Sequence, residues 1–196
     1  RIGHENKNGD FYILEKHFDI NKSKISSDYF TGVISVSFSA FDPFIPPPSQ
    51  PDPTKGPCYH YIGLKKVHTE SPAREISIKS SKDLCVELVE SLKSCLSLSG
   101  KKGRWITALS KLDSDSNFFD MDFRSLLTTY DNDASEDKKV FGAAAFSLFS
   151  SLSSGHAIVL LTLTRLVELV EEKTLVLIDE PESHLHPPLL SAFTRA

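Results

Sequence analysis

One segment near the end of the chain constrains its fold more than any other, the run Thr174-Leu175-Val176-Leu177-Ile178-Asp179-Glu180-Pro181. An unbroken apolar stretch that ends in two carboxylates predicts a strand buried on both faces, as in the parallel sheets of α/β proteins. Ligands of such sheets bind beyond the carboxyl ends of the strands, which is where Asp179 and Glu180 emerge. We therefore expect an α/β fold in which Pro181 ends this strand.

The two acids suit different chemical tasks. Mg²⁺ loses its water reluctantly and prefers a carboxylate together with phosphate oxygens, so Asp179 is the candidate metal ligand, acting through the water shell of the ion. Glu180 is placed to orient and deprotonate an attacking water molecule. A strand followed by an ordinary helix N-cap would also explain both residues, without any catalytic role.

A helix is predicted before this strand. It starts at Ser153-Ser154-Gly155 and is separated from the strand by the polar turn Glu171-Glu172-Lys173. Its apolar positions recur at helical spacing, at Ile158, Leu161, Leu166 and Leu169. A hydroxyl cap satisfies some of the free backbone N–H groups, and the glycine allows a ligand to approach the backbone closely. The remaining unpaired amides and the positive end of the helix dipole both favour an anion such as a γ-phosphate. Many helices begin in this way for structural reasons alone, so the cap carries little weight by itself.

Bulk properties exclude several classes of protein. A chain of 196 residues with a formal net charge of -4 fits one domain and has no overall positive field to attract DNA or membranes. Its three cysteines form no CxxC pair, which favours free thiols in a reducing compartment and hence the cytoplasm. Polar residues interrupt the longest apolar stretch, residues 157–170, and no signal peptide is visible. The first residue is Arg1 and no helix-ending signal precedes Ala196, so we expect both ends to be cut.

The first third of the sequence predicts strands and loops. Short runs rich in aromatic and β-branched residues, 11–15, 33–38 and 59–64, predict strands that pair into one sheet. Seven prolines between positions 43 and 57 forbid regular structure there and predict a stiff surface loop. The match of Pro48-x-x-Pro51 to a ligand of proline-recognition domains is too short to outweigh that interpretation.

The middle third turns helical. Ser80 and Asp83 resemble a capping box, and they precede an apolar stripe at Leu84, Leu88, Leu92 and Cys95 or Leu96. The basic segment 100–105 has the composition of a phosphate or nucleic-acid contact, although a solvated loop between helices is the interpretation we favour. The acidic run 131–137 is no EF-hand, because Glu136 occupies the required glycine position and Gly142 the position of the bidentate glutamate.

Three adjacent motifs together resemble a known family. Leu152-Ser153-Ser154-Gly155-His156 looks like the signature motif of ABC ATPases, and residues 175–180 look like their Walker B strand with its catalytic glutamate. The continuation 181–187 is similar to that of SMC-like and stand-alone AAA-type ABC ATPases, including OLD nucleases and anti-phage systems of the Septu and retron kind. The order and spacing of the motifs agree with the family, since one helix, a turn and a strand separate Gly155 from Asp179.

The resemblance implies an architecture and a set of site residues. The expected fold is a P-loop NTPase sheet of the ABC-ATPase kind with an inserted helical signature subdomain. Residues 1–79 would hold strands and the proline-rich loop, 80–155 the helical subdomain, and 156–196 the signature helix, Walker B strand and D-loop. ATP and Mg²⁺ are the implied cofactors, with Asp179 on the metal and Glu180 as catalytic base. The nucleotide of the partner subunit would contact Ser153, Ser154, Gly155 and His156, and the D-loop at the dimer interface would include Ser183, His184 and His186.

The departures from the family pattern narrow the resemblance. Ser154 and His156 stand where transporters usually carry Gly and Gln, which favours the SMC-like branch, and Asp179 weakly disfavours OLD nucleases, which often carry Glu there. The sequence has no G-x-x-x-x-G-K-[ST] loop and no switch histidine, and truncation at both ends would explain both absences. The only glutamine is Gln50 in the proline-rich loop, so no Q-loop glutamine is assigned. The segment after the strand 33–38 is the expected neighbourhood of the Q-loop.

The resemblance implies ATP hydrolysis that drives the formation of a head-to-tail homodimer. The implied role is in DNA-linked defence or repair. A nuclease or other effector subunit and DNA are the further partners expected, and no membrane partner is expected. Two alternatives stay open at this stage. The first alternative is an ATPase subunit of a transporter, and the second is a non-hydrolysing scaffold or sensor whose dimer is clamped by ATP. The retained Asp179 and Glu180 argue against the second alternative.

Overall fold

The computed structural model describes residues 2–4, 11–17, 19–24, 29–41, 43–68, 75–112, 118 and 120–196. The described strands are β1 (Ile2–His4), β2 (Phe11–His17), β3 (Asp19–Lys24), β4 (Gly32–Ser37), β5 (Cys58–Gly63), β6 (Lys65–His68), β7 (Glu75–Ile78) and β8 (Thr174–Asp179). The described helices are α1 (Ser81–Ser97), α2 (Ser99–Leu112), α3 (Phe123–Asn132), α4 (Lys139–Ser150), α5 (Ser154–Leu169), α6 (Pro181–His184) and α7 (Pro187–Arg195).

A parallel sheet in the order β5-β4-β8 carries the predicted Walker B strand. β4 pairs in parallel with both neighbours, and Ser37 at its carboxyl end lies opposite Asp179 of β8 and Gly63 of β5. The carboxyl ends of all three strands therefore meet at one edge of the sheet, where ligands of α/β proteins bind. The expected mixed α/β fold is confirmed, and it is consistent with a P-loop NTPase.

The expectation that all three early strands share one sheet is wrong for residues 11–15. β2 pairs antiparallel with β1 and β3 in a separate sheet, and β6 and β7 form a third sheet. β1 to β3 follow one another closely in the chain, so antiparallel pairing needs only short connections. The other two predicted strands, β4 and β5, do pair with each other.

One apolar core joins the sheet to the helices. Ile34 and Val36 of β4 and Ile62 of β5 belong to the same buried cluster as residues of α1, α2 and α5. Polar side chains also link α1 to α5, because Glu168 accepts hydrogen bonds from Ser91 Oγ at 2.7 Å and from the Arg165 guanidinium at 2.6 Å. The helical region thus packs directly on the parallel sheet. The division of the chain at residues 79 and 155 stays a prediction.

Burial of β8 on both faces, which the apolar run predicts, is wrong. Leu177 is 48% exposed and Ile178 is 42% exposed. Among the described residues β8 pairs with β4 alone, so it is an edge strand. The side chains near its carboxyl end therefore lack the second neighbour that an interior strand would have.

The predicted loop over residues 100–105 is also wrong, because these residues lie inside α2. Trp105 is fully buried, and its Nε1 donates to Thr164 Oγ1 of α5 at 2.9 Å. Lys101 Nζ donates to the Glu168 carbonyl at 2.6 Å, and Lys102 pairs with Asp131 at 2.7 Å. Two of the three cations therefore serve contacts within the fold. Helical spacing puts the buried residues of α2 on one face, at Trp105, Ala108, Leu109 and Leu112.

Two other local predictions are confirmed. The Ser80 hydroxyl accepts from the Asp83 backbone N–H at 3.2 Å and the Ser80 N–H donates to the Asp83 carboxylate at 2.8 Å, a complete capping box at the start of α1. The apolar stripe of that helix is buried. The proline-rich segment is irregular apart from one 3₁₀ turn, Pro53–Lys55, and Gln50 holds it to Tyr59 of β5 through two backbone hydrogen bonds of 2.9 and 2.8 Å.

Candidate functional site

The start of α5 has the geometry that its sequence predicts. Ser153 is the N-cap residue in an extended conformation, and its side chain accepts from the His156 backbone N–H at 3.4 Å. Ser153 and Ser154 are exposed and Gly155 is half-buried. This helix of 16 residues therefore presents two hydroxyls and a positive dipole end to its surroundings.

His156 differs from the residues around it because it is buried, with only 7% of its surface exposed. Its Nδ1 lies 2.6 Å from Ser153 Oγ, within hydrogen-bond distance. Its ring meets the Phe118 ring edge-on, with the centroids 5.3 Å apart, and the His186 ring with the centroids 5.9 Å apart. The buried imidazole thus forms a hydrogen bond with the exposed Ser153 hydroxyl.

The two predicted acids stand at the carboxyl end of β8, and both are exposed. Next to this strand end, a cavity of about 330 Å³ is lined by Ser37 of β4, by Asp179 and by Phe44 of the proline-rich loop, among others. Ser37 is the residue that faces Asp179 across the sheet. The cavity therefore places a hydroxyl and a carboxylate from neighbouring strands around one space.

Glu180 has an unusual backbone. Its φ of 36° and ψ of 53° lie in the left-handed region, which costs a non-glycine residue about 1–3 kcal/mol and tends to persist at functional sites. Although Glu180 occupies the N-cap position of α6, its side chain makes no capping hydrogen bond. Its carboxylate is 3.5 Å from the Ser183 hydroxyl. The N-cap explanation of this acid is therefore unsupported by its geometry.

The predicted D-loop residues follow directly. Ser183 and His184 belong to the short helix α6 and are exposed. His186 is the N-cap of α7, and its Nδ1 accepts from the Leu189 backbone N–H at 3.2 Å. In the described part of the chain, no group of three or more His, Cys, Asp or Glu residues stands close enough to hold a metal ion.

The structure brings together residues that the sequence analysis left apart. Ser37 and Phe44 join Asp179 at the cavity, and Phe118 and His186 join His156. None of these contacts has a local signal, since each links segments far apart in the chain. The position of Ser37 depended on the register between β4 and β8, which a single sequence does not reveal.

A family of known proteins matches the second half of the chain. The matching family carries the description "AAA domain, putative AbiEii toxin, Type IV TA system". Residues 104–196 match this AAA domain family. All site residues that the sequence predicts lie within the AAA match, which covers just under half of the chain. The match supports an AAA/ABC-like ATPase superfamily and suggests nucleotide-binding ATPase activity. It agrees with the sequence-based expectation of an ATPase, without reaching the narrower SMC-like branch.

A relative is known from a bacteriophage. "Protein ea59" of Escherichia phage lambda is 45% identical over 194 aligned residues, which cover 94% of this chain and 36% of that protein. The chain thus spans about a third of the length of this curated relative. No solved structure matches the chain. No helix in the described residues is long and apolar enough to cross a membrane.

Proposed function

We propose that the protein binds and hydrolyses ATP and that ATP drives its head-to-tail dimerisation. One observation carries the proposal. Two exposed carboxylates, Asp179 and Glu180, end a strand of the parallel sheet beside an open cavity, in the segment that matches the AAA domain family. Strand ends of parallel sheets are where nucleotides bind in this class of fold.

The donors at this strand end suit Mg²⁺ in its nucleotide-bound form. Mg²⁺ keeps several waters and takes one or two carboxylates together with phosphate oxygens, so one exposed carboxylate at an open cavity is sufficient protein ligation. Asp179 would hold the ion, directly or through water, with Ser37 facing it from β4. The bound ion would neutralise charge on the phosphates, and the protein would orient the reacting water.

Glu180 would act on that water. A carboxylate is a suitable general base when it can reach the attacking water by a hydrogen bond, and Glu180 is exposed with no capping bond to compete. This assignment makes Glu180 the residue whose removal stops turnover while leaving nucleotide binding intact.

The start of α5 would complete the site of a second subunit. Ser153, Ser154 and the amides after them offer hydrogen-bond donors to a γ-phosphate at the positive end of a helix. An ATP held by both subunits would then join them, and hydrolysis would release them. The helices α1 to α4 would form the inserted subdomain that carries this surface, and Ser183, His184 and His186 would lie at the interface.

We place this ATPase in DNA-linked defence or repair, with an effector subunit such as a nuclease. The support is the SMC-like form of the signature motif, together with the words AbiEii toxin and Type IV TA system in the description of the matching family. The name of the phage relative does not narrow this choice. The altered signature argues against a transporter subunit, because Ser154 and His156 stand where transporters usually carry Gly and Gln.

The test compares the full-length wild type with Glu180→Gln. ATP turnover is measured for both proteins, and their dimerisation is monitored by light scattering. Loss of a general base slows an enzyme by about 100- to 10,000-fold, so the variant should bind ATP, remain dimeric and stall. Glu182→Gln removes an exposed carboxylate two residues away and is the matched control, expected to turn over like wild type. Equal activity of wild type and Glu180→Gln, or no ATP binding by either, would refute the proposal.

A further inference from the structure

Two helix starts that are distant in sequence contact each other in the fold. Ser153 caps α5 and His186 caps α7, and between them the rings of His156 and His186 meet with planes at 62° and centroids 5.9 Å apart. A Cβ built on Gly155 would lie 4.0 Å from Leu189 Cδ2. The beginning of α5 and the beginning of α7 are therefore packed side by side.

The hydrogen bonds of His186 determine where its proton lies. Its Nδ1 accepts from the Leu189 backbone N–H at 3.2 Å. A ring nitrogen that accepts a hydrogen bond carries no proton, so the neutral imidazole of His186 is protonated on Nε2. The cap of α7 thus holds this ring in one tautomer and one orientation against His156.

The bond between His156 and Ser153 allows two arrangements. Nδ1 of His156 and Oγ of Ser153 lie 2.6 Å apart, and either atom is able to donate. If the hydroxyl donates to the ring, Ser153 has no proton left for a phosphate oxygen. If the ring donates to the hydroxyl, the Ser153 proton is free to point outward. Since phosphate oxygens only accept hydrogen bonds, the second arrangement is the one that binds a phosphate.

We infer that His156 is a positioning residue that donates from Nδ1 to Ser153 and that His186 holds its ring in place. Resting on the proposed function, this contact would link the phosphate-binding hydroxyl at the start of α5 to the D-loop of the same chain. A displacement of α7 would change the orientation of His156 and therefore the affinity of Ser153 for the γ-phosphate of the partner's ATP. Phe118 packs on the same imidazole and restrains it further.

Three single variants and one double variant of the full-length protein separate the parts of this proposal. His156→Leu fills the space but has no donor, whereas His156→Asn keeps an N–H near the position of Nδ1. His186→Asn keeps an N-cap acceptor for α7, because Asn is among the best N-cap residues, and it loses the ring contact with His156. The measurements are KM and kcat for ATP, ATP-dependent dimerisation, and the melting temperature without nucleotide.

His156→Leu should raise KM for ATP about tenfold, the effect of one lost hydrogen bond, with little change in kcat or melting temperature. His156→Asn should recover most of this loss. His186→Asn should raise KM in the same direction, and the double variant His156→Leu with His186→Asn should be no worse than His156→Leu alone, since His186 acts only through His156. An unchanged KM in His186→Asn, or additive effects in the double variant, would overturn the inference.

Nitrogen-15 NMR of the histidine rings in the nucleotide-free protein supplies a readout independent of catalysis. The Nδ1 of His156 should be protonated, and its signal should shift in His186→Asn. The positioning role alone would be refuted if the wild type hydrolyses ATP and Glu180→Gln stalls, but the histidine variants behave like wild type. A wild type without ATPase activity would refute the proposed function, and the NMR signals would then decide the histidine contact, since an unprotonated Nδ1 would also overturn it.

Discussion

Two threonines of α5 allow a sharp test of how this helix is held. Thr162 and Thr164 are both fully buried. Thr164 Oγ1 accepts from Trp105 Nε1 at 2.9 Å and donates to the Leu160 carbonyl at 2.8 Å, whereas Thr162 Oγ1 has no hydrogen-bond partner among the described residues. The same change, threonine to valine, therefore removes a used hydroxyl at one position and an unused one at the other.

The two substitutions should differ in their effect on the free energy of unfolding. Valine has nearly the volume of threonine, so neither change opens a cavity. Thr164→Val leaves the buried Trp105 N–H without an acceptor, which costs about 1–3 kcal/mol of unfolding free energy. Thr162→Val removes a buried polar atom that no described residue pairs with, so it should be neutral or stabilise the protein by about 1 kcal/mol. For a chain of this size each kcal/mol shifts the melting temperature by roughly 2–4 °C.

Denaturant unfolding measures both effects, with the fluorescence of Trp105, the only tryptophan of the sequence, as the probe. The midpoint should fall for Thr164→Val and hold or rise for Thr162→Val, while the slope of free energy against denaturant stays constant. Equal destabilisation by both changes would mean that valine in the helix, rather than the hydrogen bond, is responsible. A stabilising Thr164→Val would refute the hydrogen-bond argument.

Two further predictions concern titrating groups. The hydroxyl of Ser135 and the backbone N–H of Phe141 donate to the Asp133 carboxylate and lower its pKa to about 2. The stability that this carboxylate contributes is therefore present above its unfolded pKa of about 4 and is lost as pH falls towards 2. Asp133→Asn should flatten the acid limb of a melting-temperature profile, and an unchanged limb would contradict this. Burial, followed by the charge of Glu168, raises the pKa of Cys95 to about 11, so at pH 8 a thiol reagent should modify the half-buried Cys58 first, and faster labelling of Cys95 would contradict this order.

The parts of the site that are local in sequence were predictable. The Ser153 cap, the helix after it and the strand ending at Asp179 each depend on residues within a few positions, and all three are present as expected. N-caps, apolar periodicity and a terminating proline act over one or two turns or one strand, so a single sequence carries their signals. The AAA match to residues 104–196 covers the same local motifs.

The wrong predictions share a different cause. Residues 100–105 were expected in a loop because their charges favour solvent, yet Trp105 needs a buried partner and finds Thr164 on another helix. The strand 174–179 was expected to be buried on both faces, but the number of its neighbours determines that burial. Charge and hydrophobicity describe whether a residue favours solvent or the interior, whereas the packing of the surrounding elements determines its actual burial and contacts.

The sequence by itself determined the chemistry at the ends of single elements, the hydroxyl pair at Ser153 and Ser154 and the acids Asp179 and Glu180. Only the tertiary structure decided which elements lie together: Ser37 opposite Asp179, and His156 against His186. Capping and strand termination arise from backbone groups a few residues apart. Strand register and helix packing arise from the burial of side chains distant in the chain, and no local pattern encodes which distant partner will cover them.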